Sequence, residues 1–314
     1  MKTLNDVALK AHVSRMTVSR VINHPEAVSK EVRELVLQAI KELNYTPNHN
    51  AKALSNNKFL SITLLVLEDT TTTDPYFTKL ILGASRYLET KGYSLKVSTD
   101  KKFDDQTDGY IVIGFRDKDI PWLNSFDKPV VLFGENNYDI PFVDSDNLSG
   151  TTISTKKLID AKYSPISYLG IDLDQTFAKK REQGFNDVMK RHNLPVNIYR
   201  MKNSSSFVSN FLHQNPDLLQ KGGGIIAGTD RIALGVIRAA RELGLNIPED
   251  FGIIGFDGFF INKVTYPLLT TIEQNINQIG EVLSKIILNW ILTGNIPEPV
   301  LVDTNFIQGQ TIRK

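Results

Sequence analysis

Apolar residues recur at helical spacing from the N-terminus. Leu4, Val7, Ala8 and Ala11 fall on one face of a short helix, and Val18, Val21 and Ile22 on one face of a second. His12-Val13-Ser14 interrupts them. Ser14 can cap a helix starting at Arg15, because its hydroxyl accepts from a free backbone N–H of the first turn. Thr3 and Asp6 stand in capping-box relation before the first helix. Proline cannot continue a helix, so His24-Pro25-Glu26 reads as a turn. Ser29 then opens a third helix running to Leu43. Its apolar positions Val32, Leu35, Val36, Ala39, Ile40 and Leu43 suit a face that covers the first two helices. Asn44-Tyr45-Thr46-Pro47 ends it, a short helical segment spans Asn48 to Ser55, and Ser55 to Lys58 reads as a linker.

From Phe59 onward the pattern changes. Strand-like runs occur at Ser61–Leu67, Tyr93–Val97, Gly109–Ile113, Val130–Phe133, Ile166–Leu169, Gly224–Ile226 and Phe251–Gly255. Helical runs occupy Phe77–Thr90, Ser149–Ile159, Phe177–Arg191, Asp230–Leu243 and Ile276–Leu292. Such alternation predicts parallel sheets covered by helices on both faces. So many units suggest two doubly wound subdomains, with ligands bound at the carboxyl ends of the strands. The expected organisation is an all-α head over residues 1–58 and an α/β body over residues 59–314.

Charge sharpens this division. Residues 1–58 hold nine Lys and Arg against five acids; the remainder holds 27 against 30. A basic head on a slightly acidic body suits a polyanion-binding module joined to something else. The chain of 314 residues has no cysteine, which excludes disulfides and cysteine-ligated metals. No apolar run approaches the roughly 18 residues of a membrane span. The first residues lack the apolar core of a signal peptide. A cytoplasmic protein without membrane attachment is therefore expected.

The second helix carries the chemistry of the head. Arg15, Thr17, Ser19, Arg20 and Asn23 lie on its polar face. These are donors to base edges and phosphates, presented on a rod about as wide as a DNA major groove. The pattern also suits an ordinary helical hairpin with a solvated face. The stretches DVALKAHVSRMTVSRVIN and ELNYTPNHNAKAL decide between these: ungapped over about fifty residues, they resemble the DNA-binding head of the LacI/GalR family of bacterial repressors. The resemblance implies that Arg15, Met16 and Arg20 read bases. It implies that Ser14, Thr17, Ser19, Asn23, His24 and Tyr45 contact or position on phosphates. It further implies a hinge helix at about 48–55, with Asn48, Ala51 and Leu54 in the minor groove and Leu54 wedged into a base step. Packing within the head is the other use open to Met16, and packing against the body the other use open to Leu54.

By the same resemblance the body looks like the periplasmic sugar-binding proteins. One subdomain would span about 60–160 and 276–302, the other about 161–275 and 303–314. Asp74-Pro75-Tyr76-Phe77, Arg181 with Gly184-Phe185, Thr229-Asp230, Ile254-Gly255-Phe256-Asp257 and the crossover Leu269 to Gln274 resemble family crevice motifs in family order. They imply effector contacts by Tyr76, Phe77, Arg181, Asp230, Asp257 and Gln274. Each has a plainer alternative: core packing for the aromatic rings, a helix surface for Arg181, a cap or turn for the aspartates. The segment Ser98 to Thr107 departs from the family, being too short and polar for the helix usual there. Nucleotide-loop, zinc-protease and nucleophile-elbow signatures are missing, which argues against an enzyme. No cofactor is implied. The expectation is a homodimeric repressor of a carbohydrate-utilisation operon. It would bind pseudo-palindromic double-stranded operator DNA under control of a small-molecule effector, a sugar. A purine or nucleoside effector, or a sugar-binding receptor protein, are the alternatives.

Overall fold

The computed structural model describes residues 3–23, 25–43, 45, 58–68 and 75–313. The chain divides into two compact units, Met1–Leu60 and Ser61–Lys314.

In the first unit, α1 (Leu4–Lys10), α2 (Arg15–Asn23) and α3 (Lys30–Glu42) enclose a small core of Val7, Ala8, Ala11, Val18, Val21, Val36, Ala39 and Tyr45. The capping box of α1 is formed: Asp6 N–H donates to Thr3 Oγ1, and the Asp6 carboxylate accepts from Thr3 N–H at 2.7 Å. His12 turns the chain between α1 and α2 at φ 53°, a left-handed conformation in which histidine is among the more tolerated non-glycine residues. Ser29 caps α3 as its sequence suggests.

The second unit holds two six-stranded sheets. The first contains β1 (Ser61–Val66), β2 (Ser94–Ser98), β3 (Gly109–Ile113), β4 (Val130–Phe133), β5 (Phe142–Ser145) and β11 (Val300–Val302), in the order β11-β5-β4-β3-β1-β2. All its pairings are parallel. The second contains β6 (Ile166–Ile171), β7 (Asn197–Met201), β8 (Gly224–Ala227), β9 (Gly252–Asp257), β10 (Thr270–Glu273) and β12 (Asn305–Ile307), in the order β12-β10-β9-β8-β6-β7. Only β12, paired with β10, runs antiparallel. Helices α4 (Pro75–Thr90), α5 (Ile120–Leu123), α6 (Asn147–Asp160), α7 (Thr176–Arg191), α8 (Ser205–Gln214), α9 (Asp230–Glu242), α10 (Ile261–Val264) and α11 (Ile276–Thr293) complete the unit. The chain passes between the sheets through α6, through α11, and directly from β11 to β12. Gly83 of α4 and Gly280 of α11 let these two helices touch backbone to backbone, where a Cβ on either would strike the other's main chain.

The seven strand-like runs and five helical runs of the sequence each correspond to an element, with ends shifted by up to two residues. Strands β5, β7, β11 and β12 and helices α5, α8 and α10 carried no expectation. The stretch Leu269–Gln274, read as a crossover, is mostly strand: β10 lies inside the sheet and only its end leads across. Residues 99–108 contain no helix. Instead Asp104 ties the region together, accepting from Lys96 Nζ at 2.7 Å and Thr63 Oγ1 at 3.1 Å, while Phe103 packs on Trp122 and Phe126.

Candidate functional site

The carboxyl ends of both sheets converge on one crevice of about 270 Å³. In each sheet the strand order reverses beside the first strand, β1 in one and β6 in the other, which is where doubly wound folds bind ligands. Glu68 follows β1, Phe115 and Arg116 follow β3, Glu135 follows β4, and Asp144 lies within β5. From the second sheet come Phe177 at the start of α7, Asn203 after β7, Thr229 after β8, Asp257 ending β9 and Gln274 after β10.

Arg181 is central. Its side chain is only 4% exposed. It sits on α7 and is threaded between two rings, 3.7 Å above Phe256 and 5.1 Å from Phe177. Nε donates to Asn147 Oδ1 at 2.8 Å and a terminal nitrogen donates to the Gly228 carbonyl at 2.7 Å. The same nitrogen stands 3.6 Å from Asp257 Oδ1. Burial holds its pKa below the ordinary guanidinium value, opposed chiefly by Asp257. A burial this complete needs such partners, since a lone charge in the interior is very unfavourable.

Asp257 has φ 133°, a conformation that side-chain-bearing residues rarely adopt and that clusters at functional sites. Its Oδ1 accepts from Gln274 Nε2 at 2.9 Å, and Gln274 Oε1 accepts from Ser145 Oγ at 2.8 Å. Gln274 thus joins the second sheet's aspartate to the first sheet's β5. Tyr76 and Phe77 form an aromatic wall with Phe133 and Phe259: Tyr76 lies 4.9 Å from Phe77, 5.5 Å from Phe133 and 6.1 Å from Phe259, ring centre to ring centre. Asp74 of the same motif lies outside the described residues.

Asp230 does not line the crevice. It is buried behind it, accepting from Thr271 Oγ1 at 2.5 Å and Gly258 N–H at 2.9 Å. Burial raises its pKa. The neighbouring Thr229 faces the crevice instead, capping α9 and donating to Asn203 Oδ1 at 2.8 Å. Of the residues expected here, the structure therefore gathers Tyr76, Phe77, Arg181, Asp257 and Gln274, and sets Asp230 to a tie between β10 and the loop after β9.

Asp144 went unnoticed in the sequence. It is 3% exposed, accepts from Glu135 N–H at 2.8 Å and Ser145 N–H at 2.7 Å, and burial pushes its pKa up to about 6. Its strand is four residues long and has no alternation to mark it. Glu135 reaches across the crevice mouth to Lys180 of α7, 2.9 Å away. Among the described residues no group of three or more His, Cys, Asp or Glu could hold a metal ion, and no helix is long and apolar enough to cross a membrane.

On the head, Arg15, Met16 and Arg20 are exposed on one face of α2, and Met16 is 71% exposed. Packing within the head therefore does not account for Met16. Ser14 Oγ accepts from Thr17 N–H at 3.0 Å and shares a hydrogen bond with Thr17 Oγ1 at 2.9 Å, so these two hydroxyls cap the helix together. Ser19 is half-buried, and Asn23 closes the helix. Tyr45 is buried in the head core. His24 and the expected hinge with Asn48, Ala51 and Leu54 lie outside the described residues.

A helix-turn-helix unit in one chain with a two-sheet binding body defines a class: transcriptional regulators that bind DNA with one unit and an effector with the other. Comparison with known proteins agrees. Residues 3–48 match the model of the bacterial regulatory proteins of the lacI family, and residues 155–312 match a periplasmic binding protein-like domain. The HTH-type transcriptional regulator YvdE of Bacillus subtilis (strain 168) is 41% identical over 290 residues, 92% of either chain. The HTH-type transcriptional repressor PurR of Histophilus somni (strain 129Pt) is 33% identical over 300 residues, 89% of either chain. Among solved structures, a transcriptional regulator CelR–cellobiose complex superposes with TM-score 0.71 at 24% identity, over 99% of this chain and 100% of that one. The chain belongs to the LacI family of bacterial transcriptional regulators. Its relatives are regulators, not enzymes.

Proposed function

We propose that this regulator is a homodimeric repressor of a carbohydrate-utilisation operon, and that its effector is a small uncharged sugar held in the crevice between two subdomains. One observation carries the choice of ligand. The buried cation of the crevice, Arg181, already meets a carbonyl, an amide oxygen and a carboxylate, while Asp144, Asp257 and Glu68 bring negative charge to the lining. Such a lining receives hydroxyl donors and disfavours an anion. The aromatic wall of Tyr76, Phe77, Phe133 and Phe259 gives an apolar face against which a sugar ring can lie. The structural neighbour solved as a cellobiose complex supports the same reading.

Two heads would read the half-sites of a pseudo-palindromic operator in successive major grooves. Arg15, Met16 and Arg20 would read bases, with the hinge about Asn48, Ala51 and Leu54 in the minor groove. The effector shifts operator affinity only by as much as it prefers one body conformation over the other.

A purine or nucleoside is the second reading, favoured by the PurR relative and by the same stack of rings, which would hold a flat base. Thermal shift of the full chain with neutral mono- and disaccharides, their phosphates, and purines tests both. A neutral saccharide is expected to raise the Tm most and to change operator binding. A larger shift with a sugar phosphate or a purine overturns the assignment.

A further inference from the structure

The helix that carries Arg181 into the crevice has a second polar face, and that face closes over another cavity. Lys179, Glu182, Gln183 and Asn186 follow one another at i, i+3, i+4 and i+7 along α7, on the side away from Arg181. With Arg200 of edge strand β7 and with Asp172 and Asp174 of the loop after β6, they surround about 470 Å³ of space. Gly170 and Tyr168 of β6 lie at its base.

The groups around this cavity fall into two sets. One is internally paired: Arg200 forks onto Glu182 at 2.7 and 2.6 Å, and Lys179 meets Asp174 at 2.5 Å. The other set makes no side-chain hydrogen bond or ion pair with any described residue: the Tyr168 hydroxyl, the Asp172 carboxylate, and the amides of Gln183 and Asn186. Tyr168 is the telling member, being 1% exposed and stacked on Phe185. Its hydroxyl feels the charges of Arg181 and Glu182, and it offers the cavity both a donor and an acceptor.

We propose that this cavity is a second ligand site, for a small uncharged polyol such as a free sugar or sugar alcohol. The unpaired set supplies acceptors, amide donors and a hydroxyl, the complement of vicinal hydroxyl groups. Three carboxylates, Asp172, Asp174 and Glu182, stand against two cations, Lys179 and Arg200, so an anion meets net repulsion. Ile171 and Leu173 line this cavity and the crevice alike, so the second site shares a wall with the first.

Titration calorimetry of the full chain with ribose, glucose and xylitol tests the proposal. The expected result is a binding component for at least one of these probes that Asn186→Phe abolishes, that Asp172→Ala weakens about tenfold or more, and that the crevice variant Asp257→Asn retains. Asp172→Ala removes a carboxylate without adding bulk, so it remains informative if the bulkier variant fails to fold. Absence of any such component, or a component that disappears in Asp257→Asn and survives Asp172→Ala, overturns it. Binding of ethylammonium in preference to all three polyols also overturns it, because it assigns the cavity to a cation.

Discussion

The two units present functional groups in opposite states. On the head, Arg15, Met16 and Arg20 stand exposed on a short helix whose own core is small. In the body, Arg181 is almost fully enclosed, and its Nε and one terminal nitrogen are engaged before any ligand arrives. A reading head can leave its side chains in water because its partner, a polyanion, brings the complementary charge. A crevice that must distinguish similar small molecules holds its polar groups in fixed directions, and only a buried network does that. The difference teaches that removing a functional group from the head should affect recognition alone. Removing one from the crevice should affect recognition and folding together.

The largest expected effect follows from that contrast. Arg181→Ala leaves Asp144, Asp230 and Asp257 without the cation that stabilises their ionised forms. Breaking a buried ion pair of this kind costs about 3–5 kcal/mol. Urea unfolding should show a clear fall in midpoint, and the effector should no longer change operator binding. A normal midpoint with normal effector response would mean that the enclosed network is dispensable.

Arg20→Ala is the counterpart on the head. Its side chain is exposed, so the unfolding free energy should change by no more than about 0.5 kcal/mol. Specific operator affinity should fall by about 1–3 kcal/mol, with affinity for random duplex much less affected. A mobility-shift comparison of both duplexes checks this. Equal losses on specific and random DNA would reduce Arg20 to a phosphate contact.

The third effect depends on pH. Burial keeps Asp144 protonated up to about 6, whereas in the unfolded chain it ionises near the ordinary 3.8. As pH rises between these values the unfolded chain loses this proton first, so the folded state loses stability across that window. The loss is on the order of 2 kcal/mol and is complete above about pH 6. Asp144→Asn cannot titrate. Its stability relative to the parent chain should therefore improve from pH 4 to pH 7, beyond any constant offset from the altered hydrogen bonds. Unfolding midpoints of both proteins at the two pH values measure the difference. A difference that stays flat would place Asp144 in a better solvated setting than its 3% exposure indicates.

What was legible in the sequence follows the same division. The head is built from contacts close along the chain, and helical periodicity with caps at Thr3, Ser14 and Ser29 is enough to draw it. Family motifs located Arg181 and Asp257 because each motif is contiguous. Asp144, Phe133 and Glu135 were not legible, because they belong to the crevice only through strand order and the folding of distant segments onto one rim. Asp230 shows the converse. Its motif was recognisable, but a one-residue difference in direction puts Thr229 in the crevice and Asp230 behind it, and only the backbone decides that.

The smallest expected effect lies where the two sheets meet at the surface. Lys180 of α7 and Glu135 after β4 pair at 2.9 Å, with side-chain exposures of 35% and 18%. Such a partly exposed pair contributes about 0–1 kcal/mol, so Lys180→Gln should scarcely alter the unfolding midpoint. Its position still matters, because the pair spans the crevice mouth and Glu135 N–H is held by Asp144 inside it. If the pair favours the closed crevice, Lys180→Gln should speed effector dissociation up to about fivefold while slowing association little, the fold-change that 1 kcal/mol allows. Stopped-flow kinetics at low and high salt separates the cases. A faster dissociation that salt reproduces in the parent chain assigns the pair to closure. Unchanged rates would leave the enclosed network of Arg181, Asp257 and Gln274 as the whole of the connection between the two walls, and would make the contrast between head and crevice sharper still.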